Sequence, residues 1–212
     1  MRPVQKTFGS TAAVTTSLST SHSPGAGVAF TQQATSFTGG YAQQVTLTST
    51  TASTNAGNTY VVTGTDADGH AQTESLTGPA GSSTVATTRY FATVTQIVSS
   101  GASTSIAAGN SALSCSSTFI PDYVNSVASI GYGFTVSSGA SLTFKMQHTY
   151  DDVFAADTTT SSAKTWFDDT TVTGKSAAFN YSMTNAVRGS RIVLTAFTSG
   201  TVTGTLVQGL EK

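Results

Sequence analysis

From Leu142 to Tyr150 the side chains alternate without interruption: Leu142, Phe144, Met146, His148 and Tyr150 fall on one face, Thr143, Lys145, Gln147 and Thr149 on the other. A period of two over this length is the pattern of a strand with one face buried and one face wet. Nowhere does the chain sustain apolar residues at i, i+3, i+4 and i+7 through three turns, so no helix is expected.

Shorter runs repeat the pattern. Val45 and Leu47 alternate with Thr46 and Thr48, and a turn follows at Asn55-Ala56-Gly57-Asn58. Thr59 to Thr65 and Gln72 to Leu76 flank Asp68-Gly69, a pair that closes tight hairpins because Gly accepts positive φ and Asp bonds its own backbone. Pro79-Ala80-Gly81 ends that hairpin, and Arg89-Tyr90 marks a turn into a strand carrying Phe91, Val94, Ile97 and Val98. The Ser/Ala/Gly-rich stretch 101–117, interrupted by Ile106 and Leu113, has room for one strand more. Gly133 to Val136, a turn at Ser137-Ser138-Gly139-Ala140 and the long alternating strand read as a second hairpin. Phe179, Tyr181 and Met183 alternate likewise, and Arg191 to Phe197 reads as pairing with Val202 to Val207 across Thr198-Ser199-Gly200. The expected fold is all-β, with two antiparallel β-sandwich domains of jelly-roll or immunoglobulin-like type spanning 41–117 and 118–212. Residues 1–40, rich in Ser, Thr and Gly, precede them as an N-terminal arm or an edge strand.

A chain of 212 residues suffices for two small domains. Only 9 % of it is charged, where ordinary globular proteins carry about 25 %. Ser and Thr make up roughly a third. Disorder does not follow, because disordered chains are poor in aromatic and β-branched residues, and here eleven Phe, seven Tyr and many Val can form cores. A net charge of -1 supplies little repulsion between copies, which suits a protein whose surface is covered by neighbours. Cys115 is the only cysteine, so no intrachain disulfide forms, and it reads as a small buried hydrophobe. The basic start Met1 to Lys6 is not followed by an apolar run, and no stretch of about 18 apolar residues occurs. Neither a secretion signal nor a membrane span is expected, and synthesis is placed in the cytoplasm.

Residues able to carry chemistry are few. His148 lies in line with Phe144 and Met146, where a core or rim histidine is expected, and His22 and His70 fall in predicted turns. None has a second histidine at metal-ligand spacing. Asp66-Ala67-Asp68-Gly69-His70 resembles a calcium loop but lacks the distal bidentate Glu, and a hairpin turn accounts for every residue of it. Asp151-Asp152 and Asp168-Asp169 flank Trp166-Phe167, and a glycosidase would need two carboxylates across a sugar. Adjacent aspartates point in different directions, so each pair reads as a solvated strand end. Trp166 with Phe167 is the candidate exposed aromatic pair, set against a core role for Trp166 in the second domain. Serine is abundant, but no G-x-S-x-G elbow, phosphate loop or dinucleotide fingerprint occurs. The nine basic residues are scattered, and Arg188 and Arg191, the one close arginine pair, are expected to meet carboxylates or a neighbouring subunit. No catalytic, cofactor-binding or metal-binding residue is therefore assigned, and neither nucleic acid nor membrane is an expected partner.

The runs TYVVTGTDADGHAQTESLTGP and FATVTQIVSSGA resemble a pattern common in structural proteins of tailed bacteriophages. SLTFKMQHTYDD, TWFDD and AVRGSRIVLTAFTSGTVTGTLVQG are similar to the closing domain of the same virion proteins. The resemblance covers about residues 41–100 and 130–210, and it rests on strand-and-turn patterns that bring no catalytic residue with them. It implies a non-enzymatic two-domain virion component, a capsid decoration, minor capsid, neck or tail protein. Such a component forms a homo-oligomer and binds major capsid, portal, neck or tail proteins. The competing expectation is a receptor- or carbohydrate-binding module of a phage fibre or cell surface, using loops around Trp166 and the Asp pairs. A third, a hydrolase, would require Asp151, Asp152, Asp168 or Asp169 to act on a substrate.

Overall fold

The computed structural model describes residues 3–52, 55–122, 127–158 and 163–210. Among these described residues, seven strands lie in the first half: β1 Val4–Gly9, β2 Val14–His22, β3 Ala42–Ser49, β4 Thr59–Thr65, β5 Ala71–Thr77, β6 Thr84–Ala86 and β7 Thr93–Ser99. The second seven are β8 Ile106–Cys115, β9 Val127–Val136, β10 Ser141–Thr149, β11 Phe167–Asp168, β12 Phe179–Met183, β13 Gly189–Ser199 and β14 Thr201–Leu210. The chain is all-β, with several antiparallel sheets and a single three-residue 3-10 turn at Thr38–Gly40 among the described residues. The alternation behind this is direct: in β10, Leu142, Phe144 and Met146 are buried and the residues between them are not.

Two compact units divide the chain. The terminal unit comprises Met1–Thr11, Leu113–Ala155 and Lys164–Lys212, and the inserted unit Ala12–Ala112 and Ala156–Ala163. These bounds differ from a division at 40 and 118. The first residues belong with the last because β1 pairs along its whole length with β14, from Val4↔Leu206 to Gly9↔Thr201. Segment 156–163 goes with the inserted unit because the Asp157 amide donates to the Ala71 carbonyl, while its own carbonyl accepts from the Thr73 amide. Residues 3–40 contain two paired strands, β1 beside β14 and β2 beside β8.

In the terminal unit one sheet runs β1-β14-β9-β12 and another β11-β10-β13, with Cys115 of β8 bridging Val193. Two hairpins expected from the sequence are absent. β9 pairs with β14 and β12 instead of β10, and β13 pairs with β10 instead of β14. The turns at 137–140 and at Gly200 therefore carry the chain from one sheet to the other. Side chains then meet face to face: Phe134 of β9 and Phe144 of β10 lie 5.4 Å apart between centroids, and the Tyr132 hydroxyl is 2.7 Å from Ser190 Oγ. Alternation dictates which face of a strand is buried, and it is silent on which strand lies alongside.

The inserted unit has the anticipated hairpin, β4 with β5, in register from Thr65↔Ala71 to Thr59↔Thr77, and β7 completes that sheet as β5-β4-β7. β2, the first part of β8, β3 and β6 form the other. Its core draws Leu18, Val45, Leu47 and Ile106 from the second sheet, Tyr60, Val62, Val94 and Ile97 from the first, and Phe30, Phe37 and Phe91 from connections. The β7 edge of the three-stranded sheet is paired along much of its length, and the β5 edge is covered at its Ala71–Thr73 end. Beyond β7 the Phe30 amide donates to the Ile97 carbonyl and the Val94 amide to the Thr35 carbonyl. Beyond β5 lies Asp157, held by Arg89, which donates to the Thr73 and Asp157 carbonyls and sits 3.1 Å from the Asp157 carboxylate. An open edge invites another strand, and these contacts cover the β7 edge and one end of the β5 edge.

Candidate functional site

Register along β10 sorts the candidate residues of the terminal unit onto two faces. Gln147 lies opposite Arg191 on one side and Asp168 on the other, and directly opposed residues share a face. The result is an outward network. Lys145 Nζ and Gln147 Nε2 each donate to Asp168 at 2.8 Å, and Arg191 Nε donates to Gln147 Oε1 at 2.9 Å. The Arg191 guanidinium also stands 4.0 Å from the centroid of the Trp166 ring. Partial burial pushes the Asp168 pKa up, but the bonds from Lys145 and Gln147 and the charges of Lys145 and Arg191 outweigh it, holding the carboxyl below its ordinary value. Trp166 is thus half-buried beneath an arginine, neither an open aromatic nor the core residue of a domain.

The neighbouring carboxylate behaves differently. Asp169 is buried and accepts from the Thr171 and Val172 amides at 2.8 and 2.9 Å. The Tyr181 hydroxyl also bonds it, and burial followed by that bond and the Asp169 charge pushes the phenol up to about 12. No local spacing in the sequence joins Tyr181 to Asp169. Asp151 accepts from the Thr165 amide, and Asp152 from the Phe154 amide at 3.1 Å. All four aspartates hold turns or strands in place, and the adjacent members of each pair serve different partners.

On the opposite face of β10, His148 lies across from Phe167. Their rings are 5.9 Å apart and inclined by 26°, with Tyr150 edge-on to His148 at 5.7 Å and 5.9 Å from Phe167. Tyr150 belongs by alternation to the buried face, yet it lies past the last residue of β10 and is 52 % exposed; Phe167 is 47 % exposed. His148 is half-buried, as expected of a rim position. Arg188 approaches Asp152 at 3.9 Å, both side chains being about half exposed (46 % and 58 %).

Elsewhere the candidates are structural. Asp66 Oδ1 accepts from the Asp68 and His70 amides at 2.9 Å each, and Gly69 takes φ +86, so the DADGH string is a turn. Ligand atoms of Asp66, Asp68 and His70 do lie within 4.8 Å of one another. His22 ends β2 instead of lying in a turn, with its ring edge-on to Phe30 at 4.6 Å. Cys115 is buried.

The outward face of β1, β14, β9 and β12 is a separate feature. Gln5 and Thr7 stand beside Thr205 and Thr203, with bonds of 3.3 and 2.7 Å, and Asn180 and Ser182 lie opposite Gly133 and Gly131. The two glycines floor a shallow groove beside Val207, which is 46 % exposed. No charged residue occupies this face among the described residues. Comparison with known proteins adds nothing to this geometry: no protein-family model, curated protein or solved structure matches the chain.

Proposed function

We propose that the chain is a non-enzymatic structural component of a tailed bacteriophage virion, a capsid decoration, minor capsid or neck protein built as two β-sandwich domains. The sandwich reading is supported by the face-to-face Phe134 and Phe144 of the terminal unit and by a core in the inserted unit that draws on both its sheets. The observation that carries the functional reading is the uncharged, hydroxyl-bearing face of β1, β14, β9 and β12. Covering a charged face strips ions of water at a cost of several kcal/mol each, about what a modest interface gains. Hydroxyls and bare glycine backbone avoid that cost, and a hydroxyl donates or accepts as its neighbour requires. The four aspartates, each committed to a contact within the fold, support a role without catalysis.

In this reading the protein is made in the host cytoplasm and ends in the particle, self-associating and binding capsid, portal, neck or tail proteins, with no nucleic-acid or membrane contact. Gradient-purified tailed particles analysed by mass spectrometry should contain the chain at a fixed ratio to the major capsid protein. Thr205→Glu, which puts a charge on the uncharged face, should lower that ratio while the isolated protein keeps its circular dichroism. Recovery of the wild-type chain only in the particle-free fraction would sink the proposal.

A further inference from the structure

We propose that His148, Tyr150 and Phe167 form an aromatic cluster that receives a neutral hexopyranose sugar against an open ring face, a binding function separate from the assembly contacts. The three rings lie within 6 Å of one another in pairs, and two of them leave about half of their surface open. An aromatic face is electron-rich, so it attracts the polarised C–H groups on the flat side of a pyranose. Sugar recognition also needs planar polar groups at the rim to bond ring hydroxyls. Thr149 is in register with Gly189, and the Arg188 amide donates to the Thr149 carbonyl, which sets Arg188 across from Tyr150. Asp152 lies 3.9 Å from Arg188, so donors and acceptors stand together with no net charge, favouring a neutral sugar over an acidic one.

Size argues against a protein partner. The open halves of Tyr150 and Phe167 amount to roughly 200 Å² of apolar surface, against about 800 Å² per partner in a stable protein interface. A lipid surface would call for a basic apolar stripe, and this rim is balanced by Asp152. Trp166, the aromatic that stands out in the sequence, is excluded because Arg191 covers its ring.

The test is an array of glucose, galactose and mannose oligosaccharides with a sialylated set for contrast, followed by aromatic NMR of the wild-type chain with a retained sugar. At least one neutral oligosaccharide should bind, and the shifts should centre on the Tyr150, Phe167 and His148 rings. Tyr150→Ala and Phe167→Ala should each weaken binding by about tenfold. Tyr150→Phe should retain it, and Trp166→Ala should change it by no more than about twofold. The proposal is overturned if no sugar binds, if only sialylated ones do, or if the shifts fall elsewhere. The NMR arm needs no variant, and binding by the isolated chain is read independently of whether it is found on a particle.

Discussion

Two short links of similar length do opposite things. Between β4 and β5, residues Asp66 to His70 turn the chain back within one sheet, and the strands bond each other from Thr65↔Ala71 to Thr59↔Thr77. Between β9 and β10, residues 137–140 send the chain to a different sheet, and the two strands share no pairing. The difference lies in what each turn bonds. Asp66 takes the Asp68 and His70 amides, and its carbonyl accepts from Gly69, so the first turn is closed upon itself. Ser137 likewise accepts the Ala140 amide on its carbonyl, but it also donates its amide to the Thr201 carbonyl and accepts the Thr201 amide on its hydroxyl, tying one crossing to the other at Gly200. Both turns close on themselves, and the corner between layers is the one that is also tied to a second turn.

The sharpest way to break that contrast is Phe144→Ala. It removes a fully buried ring that meets Phe134 across the layers, and should cost about 3–5 kcal/mol in urea denaturation. Leu76→Ala on the hairpin, where the side chain is only partly buried, should cost well under half of that. Gly200→Ala comes next. With φ +97 and an added Cβ 2.3 Å from that of Ala140, it should lose about 2–3 kcal/mol. Gly69→Ala meets nothing within 4 Å, so only the backbone penalty of about 1 kcal/mol applies. Equal losses at the two glycines, measured by thermal melting, would show that the crossings are no tighter than the hairpin. Ser137→Ala should cost about 1 kcal/mol, the worth of the bond to Thr201.

The smallest effect is electrostatic and sits in the terminal unit. Because the folded-state pKa of Tyr181 is raised above the unfolded value of 10, its contribution is complete below pH 10 and is lost as pH rises through about 12. Absorbance at the tyrosinate band should show one phenol titrating late. Asp169→Asn should bring that phenol back toward the others, since both the bond to a carboxylate and its charge are removed.

β3, β4, β5, β7, β10, β12, β13, β14 and the DADGH hairpin were legible in the sequence because they depend on residues close in the chain, whereas β1, β2, β6 and β11 were not. The same local signal misled at Ser137-Ser138-Gly139-Ala140 and Thr198-Ser199-Gly200, which carry hairpin-like turn residues but join different sheets. At the candidate site, Trp166 and Phe167 stood out by type. Their fates diverged at the start of β11, where Trp166, just ahead of the strand, meets Arg191 and Phe167, its first residue, meets His148. Alternation places Tyr150 on the buried face, since periodicity does not reveal that β10 stops at Thr149.

What the sequence by itself determined is the all-β character and, in the alternating strands, which face is apolar, since a period of two is a property of neighbours along the chain. Tertiary structure decided the rest. β1 lies beside β14, residues 156–163 serve a different unit from their neighbours, and His148, Tyr150 and Phe167 gather at one strand end. Each of these depends on backbone bonds and packing between residues far apart in the chain, and many strands of similar composition would satisfy those bonds equally well until the whole set is closed.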